Sequence, residues 1–176
     1  MARLTHRTAP GCTYFVTTKT WQNHAIFQVK ENAEILIRCM LDYRERGAYL
    51  LHEFVVMPNH LHLLLTPSGE TSLEKAMQFI KGGSSHQIHR ERENKIQIWS
   101  PGFHEATIRD VEDFEARRRY IRMNPVEAGL AARPEDWAYG SASGKIALDF
   151  TPGRVSSGAK APFVTGANVG AKAPTP

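Results

Sequence analysis

Residues 49–67 read YLLHEFVVMPNHLHLLLTP, two runs of aromatic, β-branched and aliphatic residues separated by Pro58-Asn59. Such residues fit a pleated, half-buried surface, and each run has the length of a strand and falls far short of a bilayer span. Proline has no N–H to give to a ladder, and asparagine tolerates turn conformations. The segment therefore predicts a strand over Tyr49–Met57, a break at Pro58-Asn59, and a further strand from His60 to Leu65. A chain with this hairpin has to be built around a sheet.

The flanking segments supply the rest. Tyr14-Phe15-Val16-Thr17-Thr18 reads as a first strand. Phe27 to Arg44 carries Ile35, Leu36, Cys39 and Met40 at helical spacing and stops near Gly47. Ser72 to about Arg92 reads as a second helix, capped by Ser72, with Leu73, Ala76, Met77 and Ile80 as its apolar face. Gly82-Gly83 falls inside it and is expected to weaken or break it there. Phe103–Ile108 is a short strand, and Asp110 caps a third helix reaching about Met123, ended near Pro125 and Gly129. The order β-α-β-β-α-β-α predicts an α+β fold, an antiparallel or mixed sheet with helices on one face, resembling the ferredoxin-like sandwiches.

Hydrophobic residues make up 41% of the 176-residue chain and charged residues 23%, which excludes a membrane protein and a wholly disordered one. One domain is expected over residues 1–144. Residues 145–176 are expected to form a low-complexity tail, because from Thr151 onward the chain is rich in Gly, Ala, Pro and Ser, without an acidic residue. Cys12 and Cys39 form no CxxC pair and read as reduced thiols. No apolar leader follows Met1, so the expectation is a cytoplasmic protein without a membrane partner. The net charge of +4 suits a polyanion, provided the charge clusters.

Two constellations carry chemistry. His60-Leu61-His62 opens a strand; alternation puts both imidazoles on one face, about 7 Å apart, and Leu61, Leu63 and Leu65 on the other. Paired imidazoles chelate a divalent ion when a third ligand joins them, although His-x-His also occurs as mere sheet decoration. On the third helix, 100° per residue places Val111, Phe114 and Ile121 on a core stripe, with Arg118 intruding. Glu112, Glu115, Arg119 and Arg122 fall on the solvent side. Asp113, Arg117, Tyr120 and Asn124 form a band about 60° wide between them. A boundary phenol is held firmly and yet reachable. Tyr120 can equally be an amphipathic cover for the sheet, and Asn124 a helix-terminal residue before Pro125.

VVMPNHLHLLL, WSPGFHEATIRD and RRRYIRMNPVEAGL, in this order and spacing, resemble the REP-associated tyrosine transposases, which are single-tyrosine HUH nucleases related to small insertion-sequence transposases. The resemblance spans Tyr14 to Tyr139. It implies that His60 and His62 are the histidine pair, that Tyr120 is the nucleophile, and that Asn124 is the amide ligand one helical turn on. It implies a single-stranded DNA substrate from palindromic, hairpin-forming repeats. The pair Gly82-Gly83 departs from a pattern that is often more basic there.

The chemistry of the residues agrees with that picture. Mg²⁺ or Mn²⁺ held by His60, His62 and Asn124 would polarise a phosphate, and Tyr120 would attack it, leaving a 5′-phosphotyrosine and a free 3′-hydroxyl. A free phenol titrates near pH 10 or so, so the metal or Arg117 has to assist. His104 is a candidate proton shuttle, though an ordinary strand histidine is the stronger reading of it. The DNA footprint is expected on Arg117, Arg118, Arg119 and Arg122 around Tyr120, with a second basic stretch at Arg90, Arg92 and Lys95. Trp99, Phe103 and Trp137 offer either stacking surfaces or core. Three readings remain open: a strand-transferring enzyme, a DNA-binding module that no longer cuts, and an unrelated metal hydrolase using His60, His62 and Glu53 or Glu105. A homodimer is compatible with all of them.

Overall fold

The computed structural model describes residues 11–93 and 95–149. The hairpin forms as the sequence requires: β2 (Tyr49–Met57) and β3 (His60–Pro67) pair antiparallel, Met57 opposite His60. β1 (Tyr14–Lys19) pairs antiparallel with β3 on one side and with β4 (His104–Thr107) on the other, giving the order β2-β3-β1-β4. The sheet is wholly antiparallel and the architecture is ferredoxin-like. No described helix is long and apolar enough to cross a membrane.

The helices differ from expectation in placement. α1 (Lys30–Glu45) and α2 (Leu73–Arg92) cover one face, where Val16, Leu61, Leu63 and Leu65 meet Ile35, Leu36, Met40, Ala76, Met77 and Ile80. α3 (Val111–Glu127) lies on the opposite face, packing Phe114 and Ile121 onto Val55, Met57 and Leu64. β3 is buried on both faces, with Leu61, Leu63 and Leu65 toward α1 and α2 and with His62 and Leu64 toward α3. Phe27, expected to open the first helix, sits in a 3₁₀ turn before it and packs on Trp99 with ring centroids 4.9 Å apart.

α2 runs unbroken through Gly82-Gly83, correcting the expected break. α1 accounts for Gly83: a Cβ there would stand 2.7 Å from Cys39 Sγ and 3.1 Å from the Tyr43 ring. The glycine lets two helices approach closely, and the Tyr43 ring stacks on Phe79 beside it at 4.6 Å. Gly82 is exposed with nothing within 4 Å of its virtual Cβ. The two glycines should therefore respond oppositely to alanine. Gly82→Ala should stabilise by about 0.5–1 kcal/mol, through lost backbone entropy of the unfolded chain. Gly83→Ala should destabilise by about 1–3 kcal/mol through overpacking. Urea unfolding of both variants measures the two signs, and equal signs would remove this account of the pair.

α3 starts on the Asp110 cap, whose carboxylate accepts from Asp113 N–H at 2.7 Å. It continues past the expected end, with Pro125 inside its last turn, and closes at Gly129, whose φ of +69° admits glycine without strain. Val111, assigned to the core stripe, is 47% exposed and stays outside the cluster that Phe114 and Ile121 join. The free edge of β2 is covered by residues 137–141: Val56 N–H donates to Tyr139 O, and the Trp137 indole donates to Val56 O at 3.0 Å. The body also reaches past residue 144, where the tail was expected to begin. Ile146 and Leu148 pack on the core, and Asp149 forms a two-toothed pair with Arg44 at 2.7 and 2.9 Å. The rest of the expected tail lies outside the described residues.

Candidate active site

Strand alternation and register assemble the site. His60 and His62 face α3, and their ring centroids are 4.7 Å apart. Across β1, Thr17 is the partner of His62 and Lys19 the partner of His60, so Phe15, Thr17 and Lys19 share the histidines' face. Thr17 Oγ1 lies 2.8 Å from His62 Nδ1, and Asn59 Oδ1 lies 2.7 Å from His60 Nδ1. Where the Nδ1–H groups donate to these oxygens, Nε2 of each ring is left unprotonated and free to ligate. Burial drives both imidazoles toward the neutral form. It takes His62 down to about 3, with the neighbouring His60 adding to the effect. His60 is lowered chiefly by burial too, with the Asn124 hydrogen bond opposing and the Lys19 charge assisting.

α3 supplies the other side chains from the boundary band. His60 Nε2 stands 3.3 Å from Asn124 Oδ1. As it stands this pair is a hydrogen bond when Nε2 carries the proton; with the proton on Nδ1, donated to Asn59, the two atoms present lone pairs to one point, where a cation can sit. The spacing fits the ligand–ligand edge of about 3 Å that follows from metal–donor bonds of about 2.0–2.2 Å. Among the described residues no three His, Cys, Asp or Glu side chains gather as a metal cluster; the third donor beside the histidines is an amide oxygen. Tyr120 stands with its ring 5.2 Å from His62 and edge-on to Phe15 at 5.8 Å, and is 42% exposed. Phe15 also stacks on His62 at 5.5 Å, so one ring props both.

The arginines divide. Arg118 Nε and Arg122 Nε both donate to Glu53 Oε2, at 3.0 and 2.9 Å, and Glu53 is fully buried beneath α3. Arg122 thus turns inward from the solvent side assigned to it, drawn by a buried carboxylate. Arg117 lies over the Phe15 ring at 5.0 Å, tethered to Asp113 at 3.4 Å, and Arg119 is exposed. Arg90 is exposed and Arg92 lies 3.6 Å from Glu31; both belong to the helix layer across the sheet from the histidines, and exposed Lys95 follows that layer in the chain. Trp99 is buried, donating to Ser84 Oγ, while Phe103 and Trp137 pack against the two cores; none of the three forms an open stacking platform. His104 is exposed on the histidines' face, opposite Thr17. Glu53 is engaged by two guanidiniums. Glu105, opposite Val16, belongs to the other face of the sheet. Neither carboxylate joins the histidines.

Thr17, Asn59 and Phe15 were not singled out from sequence. Alternation gave a signal for Phe15 and Thr17, but only the register says which face of β1 meets the histidines.

Comparison with known proteins gives a consistent result. A family model described as "Transposase IS200 like" matches residues 8–124, a span that takes in both histidines, Tyr120 and Asn124. The REP-associated tyrosine transposase of Escherichia coli K12 is 24% identical over 143 residues, 81% of this chain and 83% of that protein. Among solved structures, a REP-associated tyrosine transposase bound to a REP hairpin shares the fold with a TM-score of 0.69 at 21% identity. The alignment covers 88% of this chain and 98% of that one.

Proposed function

The chain belongs to the IS200-like transposase family, and from that premise we propose that it cuts and rejoins single-stranded DNA beside hairpin-forming repeats through a covalent bond to Tyr120. The observation that carries this reading is the position of Tyr120: a half-exposed phenol on the open face of the sheet, with its ring 5.2 Å from His62. The relative seen with a REP hairpin supplies the class of substrate.

A divalent ion, Mg²⁺ or Mn²⁺, held by His60, His62 and Asn124 would supply charge stabilisation to the phosphoryl oxygens and orient them. The chain's own residues do the rest. Asn59 and Thr17 hold the imidazoles in their ligating tautomer. Phe15 fixes the Tyr120 ring, and Arg117 lies over the same Phe15 ring, a cation on the face that the phosphate approaches. The Tyr120 oxygen bonds to phosphorus, and the bond from phosphorus to the 3′-oxygen breaks. That oxygen departs and takes up a proton. One phosphodiester has been exchanged for another, so a second 3′-hydroxyl can attack the phosphotyrosine, rejoin the strand and return the phenol without an external energy source.

The test is the covalent species itself. Incubation with end-labelled, hairpin-bearing single-stranded DNA and Mn²⁺ or Mg²⁺ should give a labelled protein band that survives SDS. Chelator should abolish the band, and single-stranded competitor should reduce it more than blunt duplex does. Cleavage without any covalent band would point to hydrolysis by water and overturn the proposal.

A further inference from the structure

The geometry points to a further substrate contact: we infer that Lys19 binds the scissile phosphate of the single strand, which reaches the histidine pair by crossing β1 and β4. This deepens the proposed function and rests on it.

The route follows from what is covered. α3 lies over β2 and β3 and closes that side of the histidines; Met57, the β2 partner of His60, is buried beneath it. On the other side no described helix covers the same face. Lys19, the β1 partner of His60, is exposed, as is His104, the β4 partner of Thr17. Among the described residues the approach over β1 and β4 is the one that no helix closes to a strand of DNA lying against His60 and His62.

On that route Lys19 is directly paired with His60 across the β1–β3 ladder. Directly paired residues of antiparallel strands have Cβ atoms about 5 Å apart. A lysine side chain spans a similar length, so its ammonium reaches an oxygen seated over His60 Nε2. Among the described residues Lys19 has no carboxylate partner to release before it binds, in contrast to Arg118 and Arg122. Ser100 N–H donates to the Lys19 carbonyl at 3.0 Å and fixes its backbone at the strand end. A cation held on the strand end beside a reacting phosphate adds affinity before reaction and charge stabilisation during it.

The test uses single-stranded hairpin DNA carrying either a natural scissile linkage or a neutral methylphosphonate there. Affinities are measured in a Tyr120→Phe background, so that no bond is cut. Lys19→Gln should weaken binding of natural DNA about fivefold and lower the salt slope by about 0.7, one phosphate contact on a single strand. The penalty for the neutral linkage should shrink by the same fivefold in Lys19→Gln, while Lys19→Arg keeps it. With Tyr120 present, Lys19→Gln should slow adduct formation at least tenfold. If the two losses simply multiply, or if the coupling appears at a linkage three nucleotides away instead, Lys19 is not the scissile-phosphate contact. The unsubstituted protein, assayed in parallel for the covalent band, separates the two claims: its failure overturns the proposed function, and its success with uncoupled Lys19 overturns this inference alone.

Discussion

Tyr120→Phe should leave the affinity for hairpin DNA within about twofold of the parent while the covalent adduct and all strand cleavage disappear, a loss of at least about 10⁴ in rate. The substitution removes one oxygen. The ring keeps its edge contacts with His62 and Phe15, and nothing in the core depends on the hydroxyl of a side chain that is 42% exposed. Fold and binding therefore have no reason to change, and only the nucleophile is missing. His60→Ala and His62→Ala should abolish cleavage by a different route, through loss of the ion. His62→Ala should cost stability as well, because it vacates a buried position stacked on Phe15. Asn124→Ala should be milder, since water can take the open coordination position of a hard cation. Cleavage of a labelled strand by the four variants at matched concentration distinguishes the readings. A hydrolase would keep cutting with Phe at 120 and fail with either histidine removed. A module that only binds would show no adduct from any variant, parent included.

The sequence was legible where one element settles the question by itself. The His60–His62 alternation, the Ser72 and Asp110 caps and the hairpin break at Pro58 depend on residues within a few positions of one another. The structure reproduces each. What escaped depends on pairing between distant segments. The helices were all assigned to one face, because amphipathic periodicity shows which side of a helix is apolar and not which side of the sheet it meets. The side of the hairpin that meets α3 mixes Val55, Met57 and Leu64 with Glu53, His60 and His62, so its polar residues masked the burial of that face. Gly83 read as a helix breaker because its partners, Cys39 and Tyr43, lie on another helix. Lys19 drew no notice until register set it beside His60. Arg118 and Arg122 read as DNA contacts because the carboxylate that claims them sits 65 and 69 residues earlier in the chain.

That carboxylate should give the largest stability effect in the molecule: Glu53→Ala should cost about 3–5 kcal/mol, the usual penalty for breaking a buried ionic network from one side. Glu53 lies at a β-bulge, where β2 slips by one residue between Leu51 and Glu53, and the slip turns its side chain under α3. It is 0% exposed and meets Arg118 Nε, Arg122 Nε and the Ser141 hydroxyl; that hydroxyl also accepts from Phe54 N–H at 2.9 Å. One side chain thus ties the helix that bears Tyr120 and Asn124 to the sheet that bears the histidines, and to the segment closing the β2 edge. Glu53→Gln should cost less, about 1–3 kcal/mol, because the amide keeps the volume and the partly exposed guanidiniums can turn to water. Replacing Glu53, Arg118 and Arg122 together by apolar residues of similar size should recover much of the stability, since no charge is then left buried alone. Adduct formation should follow position as well as stability. A shift of α3 by about 1 Å is worth on the order of 10²-fold in rate, so Glu53→Gln should slow the adduct far more than it weakens DNA binding, at temperatures where it is fully folded. Urea unfolding and adduct kinetics on the same preparations measure both. A Glu53→Ala protein within about 1 kcal/mol of the parent, or a Glu53→Gln protein with an unchanged adduct rate, would show that α3 is held on the sheet by Phe114 and Ile121 alone.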